Sequence, residues 1–251
     1  MTRSEALQTI RARKPLLHCI SNLVTTNDCA NLALAVGASP IMAQAPQEMD
    51  DIAALVSAVV LNTGTPDDAK FTAARLAGAA ANRRDIPVIL DPVGVGASPW
   101  RLENIRRLLQ EVHLTILRAN YGEAAALLGL SAAEHGVDSL AIPTDAAACA
   151  KALAQKLGTV VVLSGAEDLV TDGTTLHSVS GGSDFMRSVT GAGCMLSVLC
   201  GAFAAVQPQQ PLDAAVQAAA FWKACAEKAE PLAHGPASFR VALLDAAAQI
   251  L

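Results

Sequence analysis

The chain has 251 residues, of which 52% are hydrophobic and only 3% aromatic, so its core must be packed from Ala, Val, Leu and Ile. A formal net charge of -5 with no dense run of Lys and Arg excludes the electrostatic footprint of a nucleic-acid, polyanion or membrane-surface binder. Six cysteines (Cys19, Cys29, Cys149, Cys194, Cys200 and Cys225) form no C-x-x-C pair, which excludes zinc and dithiol motifs. The polar N-terminal stretch lacks the apolar run of a signal peptide, so a cytoplasmic location with reduced thiols is expected.

In chain order, short β-branched runs alternate with Ala/Leu-rich segments. Strands are predicted at 15–21, 39–42, 58–62, 87–91, 114–118 and 159–164, several of them continuously apolar, as in strands buried on both faces of a parallel sheet. Helices are predicted from about Asp28, with Thr26 or Asn27 as cap, and from Pro66 to Asn82. Another is capped by Thr144 and runs to Leu157, stopping at Gly158, and a long one runs from Pro211 to about Glu230. Segments 169–171 and 175–179 flank Asp172-Gly173 as an edge hairpin. The weakly charged stretch 189–206 barely reaches membrane-spanning length and reads as a buried helix. No linker or repeat divides the chain. The expected fold is α/β: a single domain over residues 1–251 with a mostly parallel sheet covered on both faces.

Ligands of such sheets gather beyond the carboxyl ends of the strands, so the segments that follow each strand are informative. After the first comes polar Ser21-Asn22-Leu23-Val24-Thr25-Thr26-Asn27, in which helix capping leaves Asn22 without a role. After the fourth comes Asp91-Pro92-Val93-Gly94-Val95-Gly96, which lacks the third glycine of a dinucleotide fingerprint. It leaves a carboxylate at a strand end, either a turn initiator or a group facing a metal. The fifth ends in Arg118-Ala119-Asn120-Tyr121-Gly122-Glu123. Arg suits phosphate, and Glu123 either joins Asp91 near Mg²⁺ or belongs to an ordinary helix cap. The segment Val189-Thr190-Gly191-Ala192-Gly193-Cys194 opens a small-residue helix. Its backbone amides, at a positive dipole end, suit an anion. No P-loop signature occurs. Cys194, in the first helical turn, is expected to have a lowered thiol pKa. His18, His113 and His135 read as surface or strand-end residues, and Trp100 and Trp222 as packing anchors.

The stretch from Val189 to Cys194 resembles the anion-hole signature of ribokinase-like kinases, which usually carry Asp where Cys194 stands. Cys at that position is characteristic of the hydroxyethylthiazole kinase family. Ser21-Asn22, Ser39-Pro40-Ile41-Met42-Ala43, Asp91-Pro92-Val93-Gly94 and Arg118…Asn120…Glu123 resemble that family's segments in the same order, over nearly the whole chain. The resemblance implies a ribokinase-like fold and Mg-ATP-dependent phosphorylation of a thiazole alcohol. It also implies a thiazole pocket including Asn22, Met42 and Gly191, and ATP contacts at Arg118 and Ser164. Amides from Gly191 through Ala192 and Gly193 to Cys194 would hold the γ-phosphoryl charge. Mg²⁺ would lie near Asp91 and Glu123, with Cys194 accepting or orienting the alcohol proton. The family is trimeric with thiazole between subunits, so an apolar face near Met42 is expected at an interface. Ser164-Gly165-Ala166-Glu167 departs from the family's Thr followed by Gly-Glu, although the hydroxyl is retained. The alternatives are a hydroxymethylpyrimidine or pyridoxal kinase, an ATP-dependent nicotinamide-hydrate dehydratase, a thiol acyltransferase, which would need a His paired with Cys194 although neither His177 nor His234 has a motif pointing there, and a non-catalytic nucleotide-binding regulator.

Overall fold

The computed structural model describes residues 1–130 and 145–250. Its strands are β1 (Leu16–Ile20), β2 (Ser39–Ile41), β3 (Ala58–Asn62), β4 (Val88–Asp91), β5 (Ile116–Asn120), β6 (Val160–Ser164), β7 (Asp168–Thr171) and β8 (Leu176–Val179). They form one sheet in the order β2-β1-β3-β4-β5-β6-β7-β8. The pairs up to β5–β6 are parallel, and β6–β7 and β7–β8 are antiparallel. The hairpin turn forms as expected: Asp172 Oδ1 accepts from the amides of Thr174 and Thr175, and Gly173 takes a left-handed φ of +95°. Strand β5 lies two residues later than predicted. Its register against β6 runs from Ile116–Val160 to Asn120–Ser164, and Thr115 is spent bonding Val88 across the start of the sheet.

The helices are α1 (Arg3–Arg13), α2 (Thr26–Val36), α3 (Met49–Ala53), α4 (Asp68–Asn82), α5 (Pro99–Glu111), α6 (Tyr121–Leu128), α7 (Ala146–Leu157), α8 (Ala192–Val206), α9 (Pro211–Ala229) and α10 (Pro236–Gln249). Helices α1, α2, α8, α9 and α10 bury one face of the sheet, and α3 to α7 the other. The alternation is exact along β3: Ala58 and Val60 enter the first core, Val59 and Leu61 the second. Continuous apolar runs on these strands thus have the cause inferred from sequence. Thr144 lies outside the described residues. Asp145 caps α7 by accepting from the Ala147 amide at 3.0 Å, and left-handed Gly158 ends the helix.

The chain moves from β1 outward to β2, then returns to place β3 on the other side of β1. That reversal opens a crevice at the carboxyl ends of β1 and β3, where open α/β sheets take their ligands. The stretch 189–206 becomes α8, buried along most of its length, and packs over β1, β3, β4 and β5. Gly201 permits the approach, since a Cβ there would come within 2.7 Å of Val60 Cγ2. Among the described residues no helix is long and apolar enough to cross a membrane.

Two expectations need correction. His18 is a buried residue inside β1 and is not at the surface. Its Nε2 lies 2.9 Å from the Ala43 carbonyl, and burial pushes its pKa down, so the ring is neutral. Trp222 is an anchor, fully buried, but Trp100 is 44% exposed and meets Phe71 edge-on across α4 and α5. His113 is exposed as predicted, and His135 lies outside the described residues.

Candidate active site

All five inner parallel strands end in a polar residue or are followed by one: Ser21 and Asn22 after β1, Asn62 on β3, Asp91 on β4, Asn120 on β5, Ser164 on β6. Asp91 is fully buried. Its Oδ2 accepts from Asn62 Nδ2 at 3.0 Å and the Ser197 hydroxyl at 2.9 Å, while Arg118 NH1 stands 3.5 Å from Oδ1. Asn62 in turn accepts at 3.0 Å from Asn22 Nδ2, and that same amide reaches Cys194 Sγ at 3.4 Å. A chain of hydrogen bonds therefore runs from the thiol through two carboxamides to the carboxylate. Every member of it is buried.

Local sequence explains the positions. Asn22 Oδ1 accepts from the Val24 and Thr25 amides at 3.0 Å, closing the turn into α2, so Asn22 and not Thr26 or Asn27 organises this helix start. Its amide nitrogen is left to donate to Asn62 and Cys194. Gly191 caps α8 with φ +86°, and a Cβ there would strike the Thr25 methyl. Gly193 is needed for a different reason: any side chain would collide with the Arg118 guanidinium. The amides of α8's first turn have no intrahelical acceptors. Trp222 Nε1 donates to the Ala192 carbonyl at 3.0 Å and holds this turn in place.

The thiol differs from the expectation. Burial raises the Cys194 pKa, with a further push from Asp91, only partly offset by the Asn62 and Thr25 side chains and by Arg118. The helix terminus does not make a thiolate, because desolvation and a neighbouring carboxylate outweigh a dipole at one turn's range. Neither His177 nor His234 is hydrogen-bonded to Cys194, and both are exposed.

On the other side of Gly193 lies a cleft of about 330 Å³ bounded by Arg118, Ser164, Ala192, Gly193, Asp168 and Lys223. It continues into a second space of about 310 Å³ that shares Gly165, Met186, Arg187 and Lys223. Arg118 NH2 donates to Ser164 Oγ, so the hydroxyl retained at this position bonds the guanidinium directly. Lys223 donates to the Ala166 carbonyl at 3.0 Å and stands 3.4 Å from Asp168. Burial raises the Asp168 pKa against the pull of the Gly165 amide and of Lys223.

Glu123 is a capping residue of α6. Its Oε2 accepts from the Asn120 amide at 2.9 Å and its Oε1 from the Gly94 amide at 3.0 Å. Burial raises its pKa, and Asp91 raises it further. A cation at the rim would relieve that mutual repulsion, and both carboxylates keep free lone pairs on hard oxygens, so the pair fits a magnesium ion. No cluster of three or more metal-binding side chains exists among the described residues. Met42 follows edge strand β2 at the end of the same row, half-buried, and takes no part in the hydrogen-bonded set.

Sequence reading missed Asn62, Ser197, Lys70 and Lys223. Asn62 had a signal, since Asn62-Thr63-Gly64-Thr65 is as polar after its strand as the segment around Asn22. Lys70 had one too: it is a cation in a helix's first turn, where acids are favoured.

The chain matches the profile of the hydroxyethylthiazole kinase family over residues 7–251. It is 45% identical to a hydroxyethylthiazole kinase of Methanocella arvoryzae over 242 residues, covering 96% of this chain and 91% of that protein. The solved structure of a hydroxyethylthiazole kinase protein from Pyrococcus horikoshii superposes with a TM-score of 0.90 at 38% identity, over 99% of this chain and 93% of that one. A ribokinase-like superfamily protein from Enterococcus faecalis shares the fold alone, with a TM-score of 0.67 at 12% identity, covering 100% and 96% of the two chains. Fold, relatives and family profile agree over almost the full length, and the chain belongs to the hydroxyethylthiazole kinase family.

Proposed function

We propose that this protein transfers the γ-phosphoryl group of ATP to the hydroxyethyl group of 4-methyl-5-(2-hydroxyethyl)thiazole, for thiamine biosynthesis or salvage. The observation that carries this reading is the position of the Gly191–Cys194 turn. It has the buried, mutually hydrogen-bonded uncharged side chains of Asn22, Asn62 and Cys194 on one side and a cleft lined by Arg118, Arg187 and Lys223 on the other. An alcohol suits the first and a nucleotide's phosphates the second.

In this reading Asn22, Met42 and Gly191 border the thiazole, with Met42 as an adaptable apolar wall. Arg118, Ser164, Ala192 and Gly193 contact ATP. The first-turn amides of α8 hold charge on the γ-phosphoryl oxygens as the alcohol oxygen bonds to phosphorus and the bond to ADP breaks. Catalysis is then mostly positioning. Cys194, protonated at neutral pH, orients the alcohol, whose proton is lost late in a loose transition state and leaves on the transferred phosphoryl group. Mg²⁺ near Asp91 and Glu123 would neutralise phosphate charge.

A homotrimer with thiazole between subunits is supported by the family and by Leu23 and Val24. These stand 79% and 64% exposed beside Asn22, where a monomer gains nothing from bare aliphatic side chains. A cytosolic location is supported by six cysteines that are all free and buried.

The test is ADP release from Mg-ATP with a panel of alcohols: the thiazole, hydroxymethylpyrimidine and pyridoxal, with hydrated NADH as a further substrate. Release with the thiazole alone, and a phosphorylated thiazole by mass, is the expected result. A dehydrated cofactor, or turnover only with another alcohol, overturns the substrate assignment.

A further inference from the structure

Lys70 is in the first turn of α4, at a position where its backbone amide donates to the Asp67 cap at 2.7 Å. Its side chain is turned inward and is only 8% exposed. An ammonium there is opposed both by the helix dipole and by desolvation, so packing alone gives no reason for it, since a methionine would fill the same volume. The nitrogen donates to the Ser21 carbonyl at 2.8 Å and the Gly64 carbonyl at 2.6 Å. These two carbonyls belong to the segments after β1 and β3. Each adjoins one carboxamide of the chain that runs from Cys194 to Asp91: Ser21 precedes Asn22, and Gly64 donates its own amide to Asn62 Oδ1 at 3.0 Å.

The two segments are in close contact. A Cβ on Gly64 would fall 2.9 Å from the Asn22 Cβ. Thr65, strained at φ +43°, accepts from the Leu23 amide at 3.0 Å through its hydroxyl. Lys70 is the charged tie in this lacing. We infer that Lys70 is a positioning residue for phosphoryl transfer, clamping the β1 and β3 end segments together so that the Asn22–Asn62 amide pair is aligned on the Cys194 thiol. The inference rests on the kinase reading of this site.

Burial lowers the Lys70 pKa to about 8, with Asp67 and Cys194 opposing that shift and Arg101 reinforcing it. Asp67 faces it from its own helix cap, Arg101 from α5 and Cys194 from α8. The segments 21–25, 62–66 and 44–46 bring no titratable group. Charge-assisted bonds to the two carbonyls weaken to neutral ones as the ammonium loses its proton, so the clamp loosens near pH 8.

The experiment follows Lys70 by ¹³C resonance of its ε-carbon, assigned with Lys70→Met, together with the side-chain amides of Asn22 and Asn62 and the pH profile of kcat. The expected result is that both amide signals and kcat change through the same midpoint as Lys70. In Lys70→Met, kcat falls about 10- to 100-fold, as for misplaced reacting groups, with an unchanged KM for ATP and no inflection near pH 8. Lys70→Arg, which keeps a charge, recovers part of kcat. Amide signals and kcat that ignore the Lys70 titration, or a Lys70→Met enzyme with wild-type kcat and profile, overturn the clamp. Should the Met variant fail to fold, Lys70→Arg assigns the resonance and the wild-type titrations decide. Absence of thiazole turnover in the wild type overturns the kinase reading, while the amide titration still tests the clamp.

Discussion

The rim of the sheet divides at Asp91 into two halves that solve the burial of polar groups differently. On the β1/β3 side, carboxamides, a thiol and hydroxyls satisfy one another, and the one cation facing the crevice from α4, Lys70, is bonded to carbonyls. On the β5/β6 side, charge is matched with charge: Arg118 with Asp91, and Lys223 with Asp168. The contrast shows how one sheet edge can present a neutral polar set and an ion-paired one within a single helix turn. The ion pairs of Arg118 with Asp91 and of Lys223 with Asp168 belong to the half proposed to meet phosphates.

The largest effect expected from breaking this contrast is on the charged side. Arg118→Met leaves Asp91 buried without its counter-ion, and urea unfolding should show a loss of about 3–5 kcal/mol. KM for ATP should rise as well. An unchanged denaturation midpoint would show that Ser197 and Asn62 alone satisfy the carboxylate. On the neutral side, Cys194→Ala should lower kcat for the thiazole about 100-fold, in the range of groups that handle a reacting proton. Cys194→Ser should stay within about tenfold, because a hydroxyl still orients an alcohol. A Ser variant as poor as Ala, with Cys194→Asp active, would make the thiol a true base.

Where the halves meet, Gly191→Ala forces a Cβ onto a left-handed residue and into Thr25, so a stability loss of about 1–2 kcal/mol is expected by thermal unfolding. Smallest per group is the alkaline limb of stability. Burial raises the thiols of Cys29, Cys200 and Cys225 to about 12, against 9.0 unfolded. The unfolded chain therefore releases these protons first. Stability is full below pH 9 and falls as pH rises towards 12, by roughly 1 kcal/mol per thiol per pH unit. Urea titrations at pH 8 and pH 10 measure it, and equal midpoints at the two pH values would contradict the buried protonated thiols.

Much of the fold was legible because its signals are local. The apolar runs of β3 and β6, the Asp172-Gly173 turn and the Gly158 stop each follow from a few adjacent residues. Strand β5 was displaced by two residues because its limits depend on register against β6, which no local window contains. At the site, Asn22, Asp91, Arg118 and Cys194 were visible as polar groups at the ends of buried strands or opening a small-residue helix. Asn62, which had the same kind of signal, was passed over, and Ser197, which completes the hydrogen bonds of Asp91, had none. A serine one turn into an apolar helix looks like any other until α8 is laid across β4.

Composition and periodicity by themselves determined the α/β class and the two-faced burial of the sheet, and the resemblance of its motif segments pointed to the family. These depend on side-chain type along a strand or helix. Tertiary structure alone decided the ionisation of Cys194 and the placing of Lys70. A helix N-terminus argues for a thiolate, but the fold buries the thiol near a carboxylate, and desolvation outweighs the dipole. A lysine in an acidic first turn looks like a misplaced surface charge. Only the meeting of β1 and β3 brings two carbonyls within 2.8 Å of its nitrogen.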